Sequence, residues 1–537
     1  MSIGSFVKSI QNIMRGDSGI NGDAQRIEQM VWLLFLKIYD SKEQEWELED
    51  TEEEYQSIIP ENMRWRNWAV DNKDGKAPTG DALLNFINND VIPTLKNIPI
   101  TDKTTPRQAI VPTMFEDASN FMKDGILLRQ VINEINDINF EDYGDRHAFG
   151  EIYETILKSL QSAGNAGEFY TPRAVTDFIV QMIDPTLGEQ VADFACGTGG
   201  FLTSTLKHLT PKAKTITQQH QLRASVYGIE KKPLPYMLAV TNMLLHDIDN
   251  PQIYHGNALE RNVRELEDNE RFDIVIMNPP YGGTEGENIK NNFPNELQSS
   301  ETADLFMSVA MYRLKKIQDG GGRCAMVIPD GFLFGTDGAK SAIKKRLIED
   351  FNLHTIIRLP ASVFAPYTSI TTNVLFFDNS KKTEQVWFYR LDMPAEQKHF
   401  SKTKPMKIEH FAEAIDWWQN RVEIKDTDTD TYKAKAFTPD ELKTEVTDEK
   451  LVTKKDGSTE TITETKVTYD LDLCGYPTIE EEVLSPEDTI RTFHEQRDEL
   501  NRRIDEQLTQ IANLIGLDLV KADLIDKVVT EDSVGEA

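Results

Sequence analysis

The most constraining stretch of the chain is Phe272 to Tyr281, a short apolar run that stops at Asn278-Pro279-Pro280-Tyr281. Phe272 to Met277 is rich in β-branched residues and reads as a buried strand. Two successive prolines donate no backbone hydrogen bond and cannot continue a central strand, so the chain must leave its sheet there. An amide, two rigid peptide units and an aromatic ring are thereby presented together at a strand's C-terminal end. In open α/β sheets that edge is where ligands bind. The Asn278 side-chain oxygen and the Pro279 carbonyl are acceptors able to take both hydrogens of an exocyclic amine. Tyr281 is able to stack on the flat ring carrying that amine. The simpler alternative is a strand running into a proline turn with an incidental tyrosine.

The surrounding chain supplies the sheet. Between about 146 and 380, short apolar segments alternate with helical ones: Gln190–Phe194, Ser225–Ile229, Phe272–Met277, Arg323–Ile328, His354–Leu359 and Thr372–Phe377. That alternation predicts a mostly parallel α/β sheet. Residues 1–145 read as a helical domain, with Ile27, Val31, Leu34, Phe35 and Ile38 on one helical face and Asp23 placed to cap it. From 381 to 537 the texture is polar and acidic. Asp456-Gly457 there marks a hairpin turn. Phe493, Leu500, Ile504, Leu508, Ile511 and Ile515 form a coiled-coil-like stripe suited to the chain's own domain or to a partner.

Two lookalikes fall away. Asp426, Asp428 and Asp430 suggest a calcium loop, but Thr431 stands where glycine is needed and Phe437 where glutamate is needed, leaving a solvated turn. Gly335 to Ser341 imitates a phosphate loop, but Ala339 breaks its Gly-Lys adjacency. Cys196, Cys324 and Cys474 are scattered and odd in number, which argues against a disulfide framework or a zinc site; no metal is expected. Val31 to Leu36 is too short to span a membrane, and Met1 to Gly22 lacks a signal-peptide core, so a cytoplasmic protein is expected. Lys+Arg 58 against Asp+Glu 89 gives a net charge of −31. Such a chain repels phosphate backbones on average, so DNA binding requires a local basic patch or a partner.

Four further segments converge on the Asn278 strand. Asp193 closes the first strand and Gly197-Thr198-Gly199-Gly200-Phe201 makes a glycine turn into a helix, spaced unlike a dinucleotide GxGxxG. Such glycines permit close backbone approach, and Asp193 suits an ammonium group. Glu230 ends the neighbouring strand, where a carboxylate accepts from a ribose diol. Asn257-Ala258 is placed to face an adenine ring. Glu168-Phe169-Tyr170-Thr171-Pro172-Arg173 starts a helix, with Thr171 as N-cap and Pro172 at its first position. A helix N-terminus suits a carboxylate. Phe169 or Tyr170 is placed either against the ligand or in the core.

In that order, these segments resemble S-adenosylmethionine-dependent DNA adenine-N6 methyltransferases, and more narrowly the modification (M) subunits of type I restriction-modification systems. Asp304 to Phe306, Gly320 to Phe334 and Ile356 to Phe364 match as well, so the resemblance spans roughly residues 20–380. Phe194 stands where the family often has proline. The resemblance implies a seven-stranded sheet with one antiparallel strand. Asp193 and the Gly197–Phe201 turn would hold the methionine end of S-adenosylmethionine, Glu230 the ribose and Asn257-Ala258 the adenine. Glu168–Arg173 would close the site, and Asn278, Pro279, Pro280 and Tyr281 would take a flipped adenine from double-stranded DNA. It further implies a separate specificity (S) subunit, a motor-nuclease restriction (R) subunit and an assembly of two M with one S. Methylation of a protein glutamine amide, which also uses Asn-Pro-Pro-Tyr, and a non-catalytic scaffold of a defence complex are the competing readings.

Overall fold

A computed structural model of the chain describes residues 3–49, 55–71, 76–138, 170–365, 368, 370–394, 397–401, 404–427, 431–453, 459–476 and 486–515. The chain divides into Met1–Tyr476 and Pro477–Ala537.

The first unit is organised by a ten-stranded sheet of order β3-β2-β1-β4-β5-β7-β6-β8-β10-β9. Its strands are β1 (Val191–Asp193), β2 (Val226–Glu230), β3 (Gln252–His255), β4 (Ile274–Met277), β5 (Arg323–Pro329), β6 (Asn352–Arg358), β7 (Thr372–Asp378), β8 (Val386–Arg390), β9 (Ile424–Lys425) and β10 (Tyr432–Phe437). β1 pairs in parallel with β2 and β4, β2 with β3, and β4 with β5. β7 alone runs antiparallel within this part, inserted between β5 and β6. The seven strands implied by the resemblance are therefore present, and the sheet does not stop there. β8 adds parallel to β6, and β10 and β9 follow antiparallel. The boundary expected at 380 falls inside the sheet, because Val386-Trp-Phe-Tyr-Arg390 is a largely buried strand within a polar region. A separate two-stranded ribbon, β11 (Lys443–Thr453) with β12 (Thr459–Tyr469), matches the expected hairpin. Its turn residues Asp456 and Gly457 lie outside the described residues, as do Asp428 and Asp430.

β4 is apolar throughout because both its faces are covered. Ile274 and Ile276 point into one apolar cluster with Phe178 and Ile179 of the helix Arg173–Ile183. Val275 and Met277 point into the opposite cluster with Leu305 and Val309 of the helix Thr302–Arg313. This two-residue alternation is the pleat itself. Buried on both sides, β4 holds Asn278 on a rigid support.

The N-terminal region is helical, as expected, with Ile3–Arg15, Asp23–Glu49, Pro106–Phe115 and Gly125–Asn136 its main elements. Asp23 is the first helical residue rather than a preceding cap, and it pairs with Arg26. The helix Asp23–Glu49 packs on Pro233–Leu245, so the N-terminal helices share a core with the sheet's helical layer. Buried Lys42 reinforces this joint by bonding Asp247 at 2.6 Å. In the second unit the helix Pro486–Ile515 exposes Phe493, Leu500, Ile504, Leu508 and Ile511.

Phe178 is fully buried and stacks on Phe411, ring centroids 4.1 Å apart and 10° from parallel. Phe178→Ala is expected to cost about 3–5 kcal/mol of stability, read as a lower midpoint in urea unfolding.

Candidate active site

β1 and β2 run in parallel and deliver Asp193 and Glu230 to the same sheet edge. Asp193 is almost completely buried, and its Oδ1 accepts from the Ala195 N–H at 3.0 Å. Burial pushes its pKa up to about 8, and the nearby Glu230 adds to the rise. The turn that follows needs glycine at two positions, with φ of +53° at Gly197 and +78° at Gly199. Gly197 N–H donates to Glu230 Oε2 at 2.9 Å and Lys232 N–H to Glu230 Oε1 at 2.8 Å. Glu230 thus stitches the glycine turn to the end of β2.

The turn is braced from two more sides. Arg173 Nη1 donates to the Gly200 carbonyl at 2.9 Å and to Thr203 Oγ1 at 2.8 Å, while its guanidinium lies over the Tyr170 ring at 5.6 Å. A Cβ at Gly200 would come within 3.1 Å of that Nη1. Asn242 Nδ2 donates to the Thr198 carbonyl at 3.2 Å. Asn242 escaped the sequence reading, although a lone amide in the apolar helix Pro233–Leu245 is a signal in itself, since a buried amide must find partners. The Phe201 ring is buried in an apolar cluster with Phe178 and Val191. Large apolar side chains in the first turn of a helix packed on a sheet go to the core.

Gly256 N–H donates to the Glu230 carbonyl at 2.9 Å and brings the next segment to the same edge. There Asn257 Oδ1 accepts from Leu259 N–H at 3.1 Å, capping a 3-10 turn, and Ala258 is buried.

Asn278 stands where β4 ends. Its Nδ2 donates to Thr171 Oγ1 at 3.0 Å, and its Oδ1 accepts from the Tyr281 hydroxyl. Both faces of the amide are held, so its orientation is defined. This corrects the expected role of Thr171. The helix begins at Arg173 with Pro172 as its cap and no side-chain cap bond, and the Thr171 hydroxyl serves Asn278 instead. Tyr281 packs against the apolar cluster of Ile274, Ile276 and Phe178, and burial raises its phenol pKa. Glu168 and Phe169 lie outside the described residues. The geometry therefore assembles Tyr170 to Arg173, Asp193, the glycine turn, Glu230, Asn257 and Asn278 along the C-terminal edge of β1, β2 and β4.

The raised Asp193 pKa has a defined consequence for the ligand-free protein. Its folded value of about 8 lies above the unfolded value near 3.9. The folded state thus holds this proton more tightly, and the resulting stability is complete below about pH 4 and lost as pH rises through 8. Asp193→Asn, which keeps the Ala195 bond, is expected to narrow the difference in melting temperature between pH 5 and pH 8.

Comparison with known proteins assigns the family. The N-6 DNA Methylase family matches residues 144–465, and the HsdM N-terminal domain matches residues 3–135. The methylase subunit of the type I restriction enzyme EcoEI from Escherichia coli is 52% identical over 425 residues, covering 79% of this chain and 84% of that protein. A modification subunit of a type I restriction enzyme from Vibrio vulnificus superimposes with a TM-score of 0.73 at 38% identity, over 88% of this chain and 96% of that one. A chain from a structural study of type I restriction-modification complex assembly gives 0.73 at 34% identity, over 95% and 98%. Among the described residues no helix is long and apolar enough to cross a membrane. The chain belongs to the N-6 DNA methylases and, among them, to the methylase subunits of type I restriction enzymes.

Proposed function

We propose that this chain transfers a methyl group from S-adenosylmethionine to N6 of an adenine in double-stranded DNA, as the modification subunit of a type I restriction-modification complex in the cytoplasm. The observation that carries the reading is the fixed Asn278 amide at the end of a fully covered strand, on the edge that also holds Asp193 and Glu230.

The residues fit the cofactor. Asp193 is a buried carboxyl group with one backbone N–H on its Oδ1, and an arriving ammonium group would favour its charged form. Gly197 and Gly199 carry no side chains in the turn, which permits close backbone approach. Glu230 would hold the ribose and Asn257-Ala258 the adenine ring. The cofactor supplies an electrophilic methyl group on sulfonium. The protein's part is to present the nucleophile. A base in a duplex is stacked and paired, so it must be flipped out first, at a cost of a few kcal/mol. Asn278 Oδ1 and the Pro279 carbonyl then accept the two N6 hydrogens, concentrating the lone pair on nitrogen. N6 would shed one proton as it takes the methyl group; Asn278 is too weak a base to keep it, so the proton passes to solvent and Asn278 acts by positioning and hydrogen bonding. In the structure the Tyr281 hydroxyl satisfies Oδ1. Admission of the target amine therefore requires Tyr281 to yield that acceptor, freeing its ring to stack on the base.

Sequence reading is assigned to a separate specificity subunit and cleavage to a restriction subunit, in an assembly of two modification subunits and one specificity subunit. The N-terminal helices and the exposed stripe of Pro486–Ile515 are the proposed assembly surfaces.

Asn278→Ala is expected to lower the methylation rate by at least about 10²–10³-fold while cofactor affinity in calorimetry stays near wild type; an active variant would overturn the reading. Thr171→Val removes the acceptor for Asn278 Nδ2. It is expected to cut kcat about 10-fold or more with little change in the cofactor Kd, and Thr171→Ser should restore the rate.

A further inference from the structure

We infer that the loop leaving β8 carries a cationic platform, Lys398, Lys404 and Lys407, that docks the phosphate backbone of the DNA whose adenine enters the Asn278 site. The inference rests on the proposed DNA reading and adds the surface that an acidic chain needs. At a net charge of −31 the average field repels DNA, so attraction must be local.

The loop is on the correct edge. β4 is parallel to β5, β7 is antiparallel to both β5 and β6, and β8 is parallel to β6. The C-terminal ends of β4 and β8 therefore share one side of the sheet. Residues 397–408, Gln-Lys-His-Phe-Ser-Lys-Thr-Lys-Pro-Met-Lys-Ile, include no Asp or Glu. Lys398, Lys404 and Lys407 are exposed, and among the described residues none has an ion-pair partner. Other lysines of this region are neutralised: Lys433 pairs with Glu413 at 2.7 Å and with Asp392 at 3.4 Å, and Lys231 meets Glu285 at 3.7 Å.

The platform is also held in place. Phe400 and Met406 are buried in the apolar cluster against which Tyr281 packs. Phe400 N–H donates to Ser362 Oγ at 2.8 Å. Gln397 Nε2 donates to the His399 and Lys404 carbonyls at 3.1 and 3.0 Å. Ser401 and Lys404 exchange backbone bonds at 3.0 and 3.1 Å. Exposed cations with no ion-pair partner among the described residues, on a loop sharing a core with Tyr281, match what backbone positioning requires.

The test compares wild type with K398E/K404E/K407E and K398Q/K404Q/K407Q in the full chain assembled with its specificity subunit. DNA Kd is measured against salt by anisotropy, and cofactor Kd by calorimetry. Each phosphate contact contributes about 0.9 to the slope of log K against log salt. Loss of the platform should therefore reduce that slope by about 2–3 and raise the DNA Kd at least 10-fold in the charge-reversed variant, less in the neutral one, with cofactor Kd unchanged. An unchanged slope with intact cofactor binding would overturn the inference. So would a variant whose only defect is loss of the specificity subunit in size exclusion, which would assign the lysines to an acidic protein surface. A wild-type complex that methylates no adenine would instead sink the parent reading.

Discussion

The structure depends on how one amide is held. Asn278 leaves a strand buried on both faces, and the following prolines fix the direction of the chain. Thr171 takes its Nδ2 and Tyr281 occupies its Oδ1. An amide whose two ends are both engaged has no freedom to flip, so its acceptor is aimed before any ligand arrives. Preorganisation of this kind is what a site relying on hydrogen bonding rather than acid–base strength requires.

The rest of the edge is braced by its own hydrogen bonds. Glu230 receives two N–H groups, one from the glycine turn, so a carboxylate at the end of one strand also shapes the turn after its neighbour. Arg173 ties the segment next to Thr171 to the helix that starts at Gly200. The proposed cofactor and target-base residues therefore share one rim, with Arg173 two positions from the Thr171 that holds the Asn278 amide.

Much of this was legible in the sequence where local chemistry is decisive. The apolar run before two prolines announced β4, and the glycines at 197 and 199 announced a turn that only they adopt cheaply. β3 was missed because it is a four-residue strand in which only Ile253 is buried. β8 was missed because four buried residues and a half-buried Trp387 are diluted by acidic neighbours when composition is averaged. Thr171 before Pro172 was read as a cap, since that pair is a common helix start, yet its hydroxyl serves a residue 107 positions away. No sequence signal encodes that pairing.

The central claim is that the held amide activates an aromatic exocyclic amine. Its most direct test is to incubate the assembled complex with DNA and isotopically labelled S-adenosylmethionine, digest the DNA, and identify the labelled nucleoside by mass spectrometry. The account predicts label in N6-methyladenine alone. Label at a cytosine ring carbon, or only on a protein glutamine, would contradict it.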